Sequence, residues 1–341
     1  MRAGIGISGT GRDLLLAGLA LAVLLILPVL LPQPALRDFL IYVIAYGLLA
    51  MSLNLLVGFT GLVSFGHAAY FASGAYTFGL LMQSGQVSVP VAMLAAVGGT
   101  ALLALLIGAI CVRLQEIYFA FITLAFQMFI YSVILTWVGL TGGDQGLRGG
   151  IPRPPFLGID LNDALTLYAF CAVVFVACMV IMRQIVQSPF GYTLRMVRDN
   201  PGRANFLGVN VLRVKLAIFV IAGAMASVGG VVLALFVSGA YPDFAFWSTS
   251  GEAIFMLMLG GTQLFIGPLV GTVILQALNH YVTILTEHHG MVLGTIILVF
   301  VLGLRRGLAD WVYEWFQSRR TRRAAEPPEA LRVEAKHDKL A

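Results

Sequence analysis

Charged residues are scarce in this sequence. Only 11% of its 341 residues are Asp, Glu, Lys or Arg, whereas 59% are hydrophobic. Water-soluble globular chains carry charged residues at about 25% of positions. The composition therefore excludes an ordinary soluble domain, and it favours an integral membrane protein built as one continuous helical bundle.

Cysteine and lysine are also rare, and no motif for cofactor, metal or nucleotide chemistry is present. The three cysteines all lie inside apolar runs, where we expect packing roles: Cys111, Cys171 and Cys178. None of the three lysines belongs to a GxxxxGK[ST] phosphate loop, so ATP hydrolysis of the P-loop type is excluded for this chain. HExxH and GxSxG are missing as well. We therefore expect no catalytic residues, no metal site and no bound cofactor, and a membrane-embedded enzyme is the least favoured class.

Long apolar runs dominate the rest of the chain. A helix needs about 20 apolar residues to cross the hydrocarbon core, and the runs predict an all-α integral membrane protein with about ten transmembrane helices (8–10). The eighth run is too short to cross alone, so it is expected to tilt or to include a broken segment. The candidate spans are 13–33, 38–57, 64–82, 90–112, 116–138, 165–183, 214–238, 251–261, 267–286 and 290–304.

The distribution of Lys and Arg predicts the orientation of these spans. Cytoplasmic segments of membrane proteins carry an excess of basic residues. With the N-terminus inside, 18 of the 21 basic residues become cytoplasmic, and only Arg37, Arg148 and Arg153 lie outside. Both termini are therefore expected on the cytoplasmic side of the membrane. The basic pI is thus a topology signal and no indication of nucleic-acid binding.

Residues 1–306 are expected to form the membrane domain, and residues 307–341 a separate tail. Trp311, Tyr313 and Trp315 follow Gly307 and are typical of an interfacial helix with aromatic anchors. The remainder is polar and basic with a Pro-Pro pair, and a disordered cytoplasmic segment is expected there.

A glycine-rich segment precedes the third span. Gly58, Gly61 and Gly66 make a poor start for a helix. Small residues then recur at helical spacing from Ser64 onward, which allows another helix to approach closely. Two interpretations stay open: ordinary small-residue packing, or a broken entry to a helix that lines a translocation path. His67 is more often a packing residue than a ligand in such a setting, although an ionisable group at membrane depth merits a test.

A second glycine-rich segment follows the eighth span. It contains Gly260, Gly261, Gly267, Pro268 and Gly271. Two such interruptions in the two halves of the chain suggest an inverted internal repeat, and breaks of this kind mark the substrate path in many transporters.

The predicted cytoplasmic loop 184–213 has its own helix signals. Ser188-Pro189 and Asn200-Pro201 are each an N-cap followed by proline at the first helical position. Gly208 is placed to end the second helix. These signals predict one helix over 189–199 and a short one over 201–207. Two capped helices exceed what a connection needs, so a docking surface for a cytoplasmic partner is favoured over a loop lying on lipid headgroups.

At these places the sequence resembles the LivM-type permeases, the membrane subunits of ABC importers for branched-chain amino acids. Gln263 and Asn205 depart from the usual family residues. Five segments match family patterns in order: 61–77 (GxxSxGHAAFFxxGAYT), 117–126 (IYFAxxTLAF), 140–147 (LTGGxxGL), 198–210 (RDNPxRAxxLGxN) and 260–271 (GGxGxxxGPxxG).

The resemblance implies a location in the bacterial inner (plasma) membrane and four kinds of partner, and it assigns roles to particular residues. The partners are a second related permease subunit, two cytoplasmic ATPases that use ATP, a periplasmic solute-binding protein and the bilayer. The residues expected to couple to the ATPase are Arg195, Arg198, Asp199, Asn200, Pro201, Arg203 and Gly208. Those expected along the translocation pathway are Gly61, Ser64, Gly66, His67, Gly260, Gly261, Gly267 and Pro268. Those expected to meet the binding protein are Asp144 and Arg148, in the outer loop 139–164, and Asp243.

Two alternatives to this function remain. Importers of the same class also carry urea, amides or aromatic acids. A stand-alone secondary transporter is the competing class, although no buried acid of the kind that proton coupling needs is evident near mid-membrane.

Overall fold

The computed structural model describes residues 8–147, 149–155, 160–285, 288–303 and 307–312, and regular structure within these ranges is helical. Short 3₁₀ turns occur at Gly143–Gln145 and Pro242–Ala245. The helices are α1 (Ser8–Leu30), α2 (Pro34–Thr60), α3 (Ala68–Gln83), α4 (Val89–Cys111), α5 (Glu116–Thr136), α6 (Val138–Thr141), α7 (Ala164–Gln187), α8 (Pro189–Asp199), α9 (Pro201–Phe206), α10 (Val211–Val237), α11 (Trp247–Gly260), α12 (Gly267–Leu285) and α13 (His289–Gly303).

Every predicted span overlaps one of these helices. Five of them, α2, α4, α5, α7 and α10, are long and apolar enough to cross a membrane. A multi-pass helical membrane protein is thereby confirmed, whereas ten crossings, an inverted repeat and cytoplasmic termini remain predictions. Arg148 and the tail beyond residue 312, including Tyr313 and Trp315, lie outside the described residues.

Helices α2 and α10 form the centre of the bundle. About three quarters of the α2 span (78%) and two thirds of the α10 span (67%) are buried, against 28% for α5. Small residues on α10 allow this contact: a Cβ at Gly229 would lie 2.6 Å from the carbonyl oxygen of Ala45 in α2, and one at Gly230 would overlap the Phe71 carbonyl in α3. Backbones approach closely where such residues meet, which is how helices associate without a hydrophobic driving force in lipid.

A side-chain hydrogen bond from α7 replaces a backbone hydrogen bond that a proline removes from α1. Pro28 lies inside α1 and has no N–H, so the carbonyl of Leu24 loses its helical donor. The hydroxyl of Tyr168 in α7 donates to that carbonyl at 2.9 Å. An ion pair of 2.7 Å between Arg183 and Asp13 links the same two helices closer to the start of α1.

Candidate functional site

The first glycine-rich segment interrupts the helical structure between α2 and α3. Helix α2 continues through Gly58 to Thr60 and ends at Gly61, whose φ of 75° is left-handed. Residues 61–67 are non-helical, and α3 begins only at Ala68. The expected broken entry is therefore present, but the helix begins four residues later than the span predicted at 64. Ser64 precedes α3 and shares no helical face with Ala68.

Alternate residues of the non-helical segment 61–67 border a groove. Burial alternates along the segment: Leu62, Ser64 and Gly66 are buried, and Gly61, Val63 and Phe65 are exposed. An extended chain sends successive side chains to opposite sides, which explains the period of two. The exposed set borders a groove of about 470 Å³ together with residues of α5: Ile117, Ala120, Phe121 and Leu124. Of the predicted pathway residues here, Gly61 borders this groove, whereas Ser64 and Gly66 face the interior.

Gly66 lies against the backbone of α5. A Cβ at this position would overlap the carbonyl group of Thr123. The neighbouring Phe65 N–H donates to Thr123 Oγ1 at 3.2 Å. Only glycine allows the interruption to come this close to α5.

His67 is a buried hydrogen-bonding residue in the protein interior. Its Nε2 lies 2.9 Å from Ser52 Oγ, and that hydroxyl donates its single proton to the carbonyl of Leu49 at 2.8 Å. The hydroxyl can then only accept from the ring, so Nε2 carries the ring proton and Nδ1 is left with a lone pair. Within the described residues Nδ1 has no hydrogen-bond partner. The geometry is that of a packing residue with one unused acceptor.

A chain of buried polar groups meets the first residue of α3. Ser250 in α11 accepts from the Ala68 N–H at 2.9 Å and donates to Gln127 Oε1 in α5 at 2.7 Å. The Gln127 amide in turn donates to the Ala245 carbonyl at 3.1 Å. Sequence reasoning missed both side chains. Gln127 stands alone as an amide in the apolar run of α5, which is the signal that could have found it.

The eighth predicted span corresponds to α11, which is short because the chain preceding it is non-helical. Helix α10 ends at Val237, residues 238–246 are non-helical apart from the 3₁₀ turn, and α11 begins at Trp247. The glycine-rich segment 260–271 instead forms a close turn between α11 and α12. A Cβ at Gly260 would overlap the Gly267 carbonyl, and one at Gly271 would overlap the Met256 carbonyl. Pro268 lies in the first turn of α12, where its missing N–H costs nothing.

Asp310 holds this turn from the far end of the chain. Its carboxylate is buried and accepts from the backbone N–H groups of Gln263 and Leu264 at 3.1 and 3.0 Å. Gly261 lies so close that a Cβ there would be 2.5 Å from the Asp310 carboxyl carbon. The sequence interpretation had placed Asp310 in an interfacial tail, and its role was missed because the two segments are 46 residues or more apart.

The loop between α7 and α10 folds as its helix signals predict. Ser188 accepts from Gly191 N–H at 3.4 Å and Asn200 from Arg203 N–H at 2.8 Å, which caps α8 and α9. Gly208 has a φ of 85°. Its N–H and that of Val209 bond back to the carbonyls of Asn205 and Ala204, the Schellman pattern that ends a helix.

This loop presents two faces. Arg198 reaches inward and donates to the Gly58 carbonyl, and the Arg195 guanidinium lies 5.5 Å from the ring of Phe59. The other side is open: Asp199, Asn200, Pro201 and Arg203 are exposed. Phe206 is 95% exposed and Leu207 68% exposed, and the sequence interpretation had named neither of them.

The loop therefore connects to the second glycine-rich segment through α2. A Cβ at Gly58 would lie 2.6 Å from the Thr262 carbonyl oxygen. Arg198, Gly58 and Thr262 thus form a continuous contact from the loop to the turn that Asp310 holds. Gly61 borders the groove on one side. On the other side, a Cβ added at Gly61 would lie 3.4 Å from Arg198 Cγ.

The two 3₁₀ turns lie side by side and expose acidic residues. Asp144 and Asp243 are both exposed, one in each turn. The backbone after the first turn pairs with the backbone before the second, since Leu147 N–H donates to Ala240 O at 2.9 Å and Ile151 N–H to Ser238 O at 3.1 Å. Arg153 donates to the carbonyls of Leu235 and Phe236 at the end of α10. The structure thus places the two turns that carry the predicted docking acids next to each other.

The long apolar helices define a multi-pass membrane protein, and the non-helical interruption, the groove and the capped loop are its candidate functional features. The profile of the family described as branched-chain amino acid transport system / permease component matches residues 35–302, and the chain belongs to that family.

The curated relatives agree with this assignment. The high-affinity branched-chain amino acid transport system permease proteins LivM of Escherichia coli and Salmonella typhimurium are 24% and 23% identical, over 77% of this chain and 67% of each relative. The ribose import permease protein RbsC of Bacillus subtilis is 28% identical over 49% of this chain and 51% of its own length. No solved structure shows significant similarity. The resemblance to LivM-type permeases is confirmed.

Proposed function

We propose that this chain is a membrane-spanning permease subunit of an ATP-binding cassette importer, and that it carries branched-chain amino acids or similar small solutes. Family membership and the LivM relatives support the class. The apolar wall of the groove, formed by Val63, Phe65, Ile117 and Phe121, suits an aliphatic side chain in passage. Selection of the solute falls to a periplasmic binding protein. The proposed setting is a bacterial inner membrane, with the α7–α10 loop and both termini in the cytoplasm.

The observation that carries this proposal is the exposed end of α9. A phenylalanine that is 95% exposed costs hydrophobic free energy unless a partner covers it. Phe206 and Leu207 follow the exposed Arg203 in the same loop, and aromatic residues and arginine are the residue types that dominate protein interfaces. We assign this surface to the ATPase subunit, which supplies the ATP hydrolysis that this chain has no motif for.

The inward face of the same loop supports transmission of force. Docking at Phe206 moves α8 and α9, and Arg198 connects α8 to the end of α2. From there the contact continues to Thr262 and to the groove at Gly61. ATP-driven closure of the ATPases then shifts the permease between inward- and outward-facing states, because the two states bind the closed dimer differently.

The remaining partners follow from other surfaces. Ile117 and Phe121 are each 67% exposed beside the groove, which supports a second related permease subunit facing α5. The adjacent turns with Asp144 and Asp243 support docking of the binding protein on the opposite side.

The test is co-purification and uptake with a matched pair of variants. Phe206→Ala is expected to weaken ATPase association by about 2 kcal/mol or more, roughly 30-fold. Leu94→Ala removes a side chain that is 72% exposed on α4 and is expected to leave ATPase association unchanged. Uptake of labelled leucine should fall only in the first variant, and valine should compete where urea and ribose do not. Uptake down a gradient by the chain alone, with no ATPase present, would refute the importer and favour a secondary transporter.

A further inference from the structure

The Ser250–Gln127 relay is the ordered set of hydrogen bonds from the Ala68 N–H through Ser250 and Gln127 to the Ala245 carbonyl. Both side chains are fully buried. Each direction is determined, because a backbone N–H only donates and a carbonyl only accepts. Ser250 must therefore donate its proton to Gln127 Oε1, and the Gln127 amide must point its NH₂ at Ala245. The relay has one arrangement that satisfies every group.

The relay joins the start of α3 to the Pro242–Ala245 turn by hydrogen bonds, beside a direct contact between the rings of Phe71 in α3 and Phe244 in the turn. At one end is the first residue of α3, directly after the interruption whose Val63 and Phe65 border the groove. At the other end is the last residue of the Pro242–Ala245 turn, which exposes Asp243. Thr249 stiffens that turn, since its hydroxyl donates to the Asp243 carbonyl at 2.8 Å. A displacement of the turn thus moves Ala245 and reaches Ala68 through two side chains.

The hydrogen bond from the Ala68 N–H to Ser250 is not a local helix cap. The first N–H groups of a helix lack intrahelical partners and are normally satisfied by the side chain of the N-cap residue. His67 is the N-cap of α3, and its side chain makes no such bond. The partner comes instead from α11, 182 residues further along the chain. The first N–H of α3 is thereby bonded to α11 and, through Ser250, to α5, and not to the side chain of its own N-cap residue.

We propose that Ser250 and Gln127 are positioning residues of the transport cycle that couple the outer turn to the groove. Docking of the binding protein on the turn at Asp243 shifts Ala245, and the relay passes this shift to the start of α3 and the non-helical residues before it. The inference rests on the proposed function for the docking event. The hydrogen bonds themselves are independent of that function and are tested separately.

The first experiment needs no partner. Amide hydrogen exchange is measured on the purified full-length chain in detergent for the parent, Ser250→Ala and Thr272→Val. Thr272 is a matched control, because it is equally buried and its hydroxyl bonds only to Pro268 O in its own helix, at 2.9 Å. The peptide containing Ala68 should exchange at least tenfold faster in Ser250→Ala and unchanged in Thr272→Val. Equal exchange in all three would refute the relay, whatever the protein does.

The second experiment uses the complete importer in vesicles with a Val63→Cys reporter in the groove. Leucine-loaded binding protein is expected to change the maleimide labelling rate at the reporter severalfold. That response should disappear in Ser250→Ala and Gln127→Leu, return in Ser250→Thr, which keeps the hydroxyl, and persist in Thr272→Val. Basal ATPase activity should stay at the parent level in all variants.

The outcomes separate the two proposals. A response to binding protein that persists in Ser250→Ala refutes the coupling role even when exchange at Ala68 is faster. A failure of the parent chain to associate with ATPase or binding protein refutes the importer function and the coupling role with it, while the exchange result still decides whether the relay holds α3.

Discussion

Arg198 in α8 donates a hydrogen bond from its guanidinium to the carbonyl oxygen of Gly58, near the end of α2. The last four carbonyls of a helix have no intrahelical donor, and a cation there also meets the negative end of the helix dipole. The bond therefore serves α2 as a C-terminal cap, and it ties the α7–α10 loop to the bundle. Resemblance alone had assigned Arg198 to the ATPase interface.

Arg198→Ala is expected to uncouple transport from ATP hydrolysis while leaving ATPase binding intact. The variant loses the link to Gly58 but keeps Phe206 and Leu207 on the open face of the loop. Solute uptake per ATP hydrolysed, measured in proteoliposomes, should fall severalfold. Arg113→Ala is the control, because Arg113 is exposed after α4, outside this loop, and none of the hydrogen bonds and ion pairs described for the structure involves its side chain. An unchanged uptake-to-hydrolysis ratio in Arg198→Ala would contradict this role.

Gly66→Ala is expected to destabilise the protein and reduce uptake. The new methyl group would overlap the Thr123 carbonyl, and overpacking of this kind costs about 1–3 kcal/mol. Thermal unfolding in detergent should show a lower Tm. Gly98→Ala is the matched substitution on α4, where a Cβ meets nothing within 4 Å, and it should keep or slightly raise the Tm. Equal Tm values for the two variants would show that the backbone contact at Gly66 is not tight.

Tyr168→Phe is expected to weaken the attachment of α1 by leaving the Leu24 carbonyl without a donor. An unsatisfied buried acceptor costs about 1–3 kcal/mol in water-soluble proteins, and about 0.6 kcal/mol is the average for such bonds in membranes. The decisive measurement is a double-mutant cycle with Pro28→Ala, which restores the N–H in α1. In the Pro28→Ala background, loss of the Tyr168 hydroxyl should change the free energy of unfolding very little. Additive effects of the two substitutions would contradict the assigned pairing.

Asp310→Asn is expected to loosen the turn between α11 and α12. A carboxamide has one acceptor oxygen, so it cannot receive both the Gln263 and the Leu264 N–H in the present geometry. Hydrogen exchange at these two amides should accelerate, while the Gly261 amide, which bonds to Leu257 O at 2.8 Å, stays protected. Uptake should fall along with this protection. Retained protection at both amides would show that Asp310 does not hold the turn.

The sequence by itself determined the features that depend on neighbouring residues. Hydrophobic run length placed ten helices, and Ser188, Asn200 and Gly208 predicted α8 and α9 to within a residue, because caps act on backbone groups three or four positions away. The family patterns identified the class of permease for a similar reason, because each pattern is a run of consecutive residues.

Tertiary structure alone decided which groups meet. Which of residues 61–67 border the groove depends on where α5 packs, so Val63 and Phe65 could not be separated from Ser64 and Gly66 by composition. The partners Asp310 with Gln263, and Ser250 with Gln127 and Ala68, are far apart in the chain, and a hydrogen bond between distant segments leaves no local pattern to read. The full exposure of Phe206 was equally hidden, because burial is a property of the packed bundle and not of the residue.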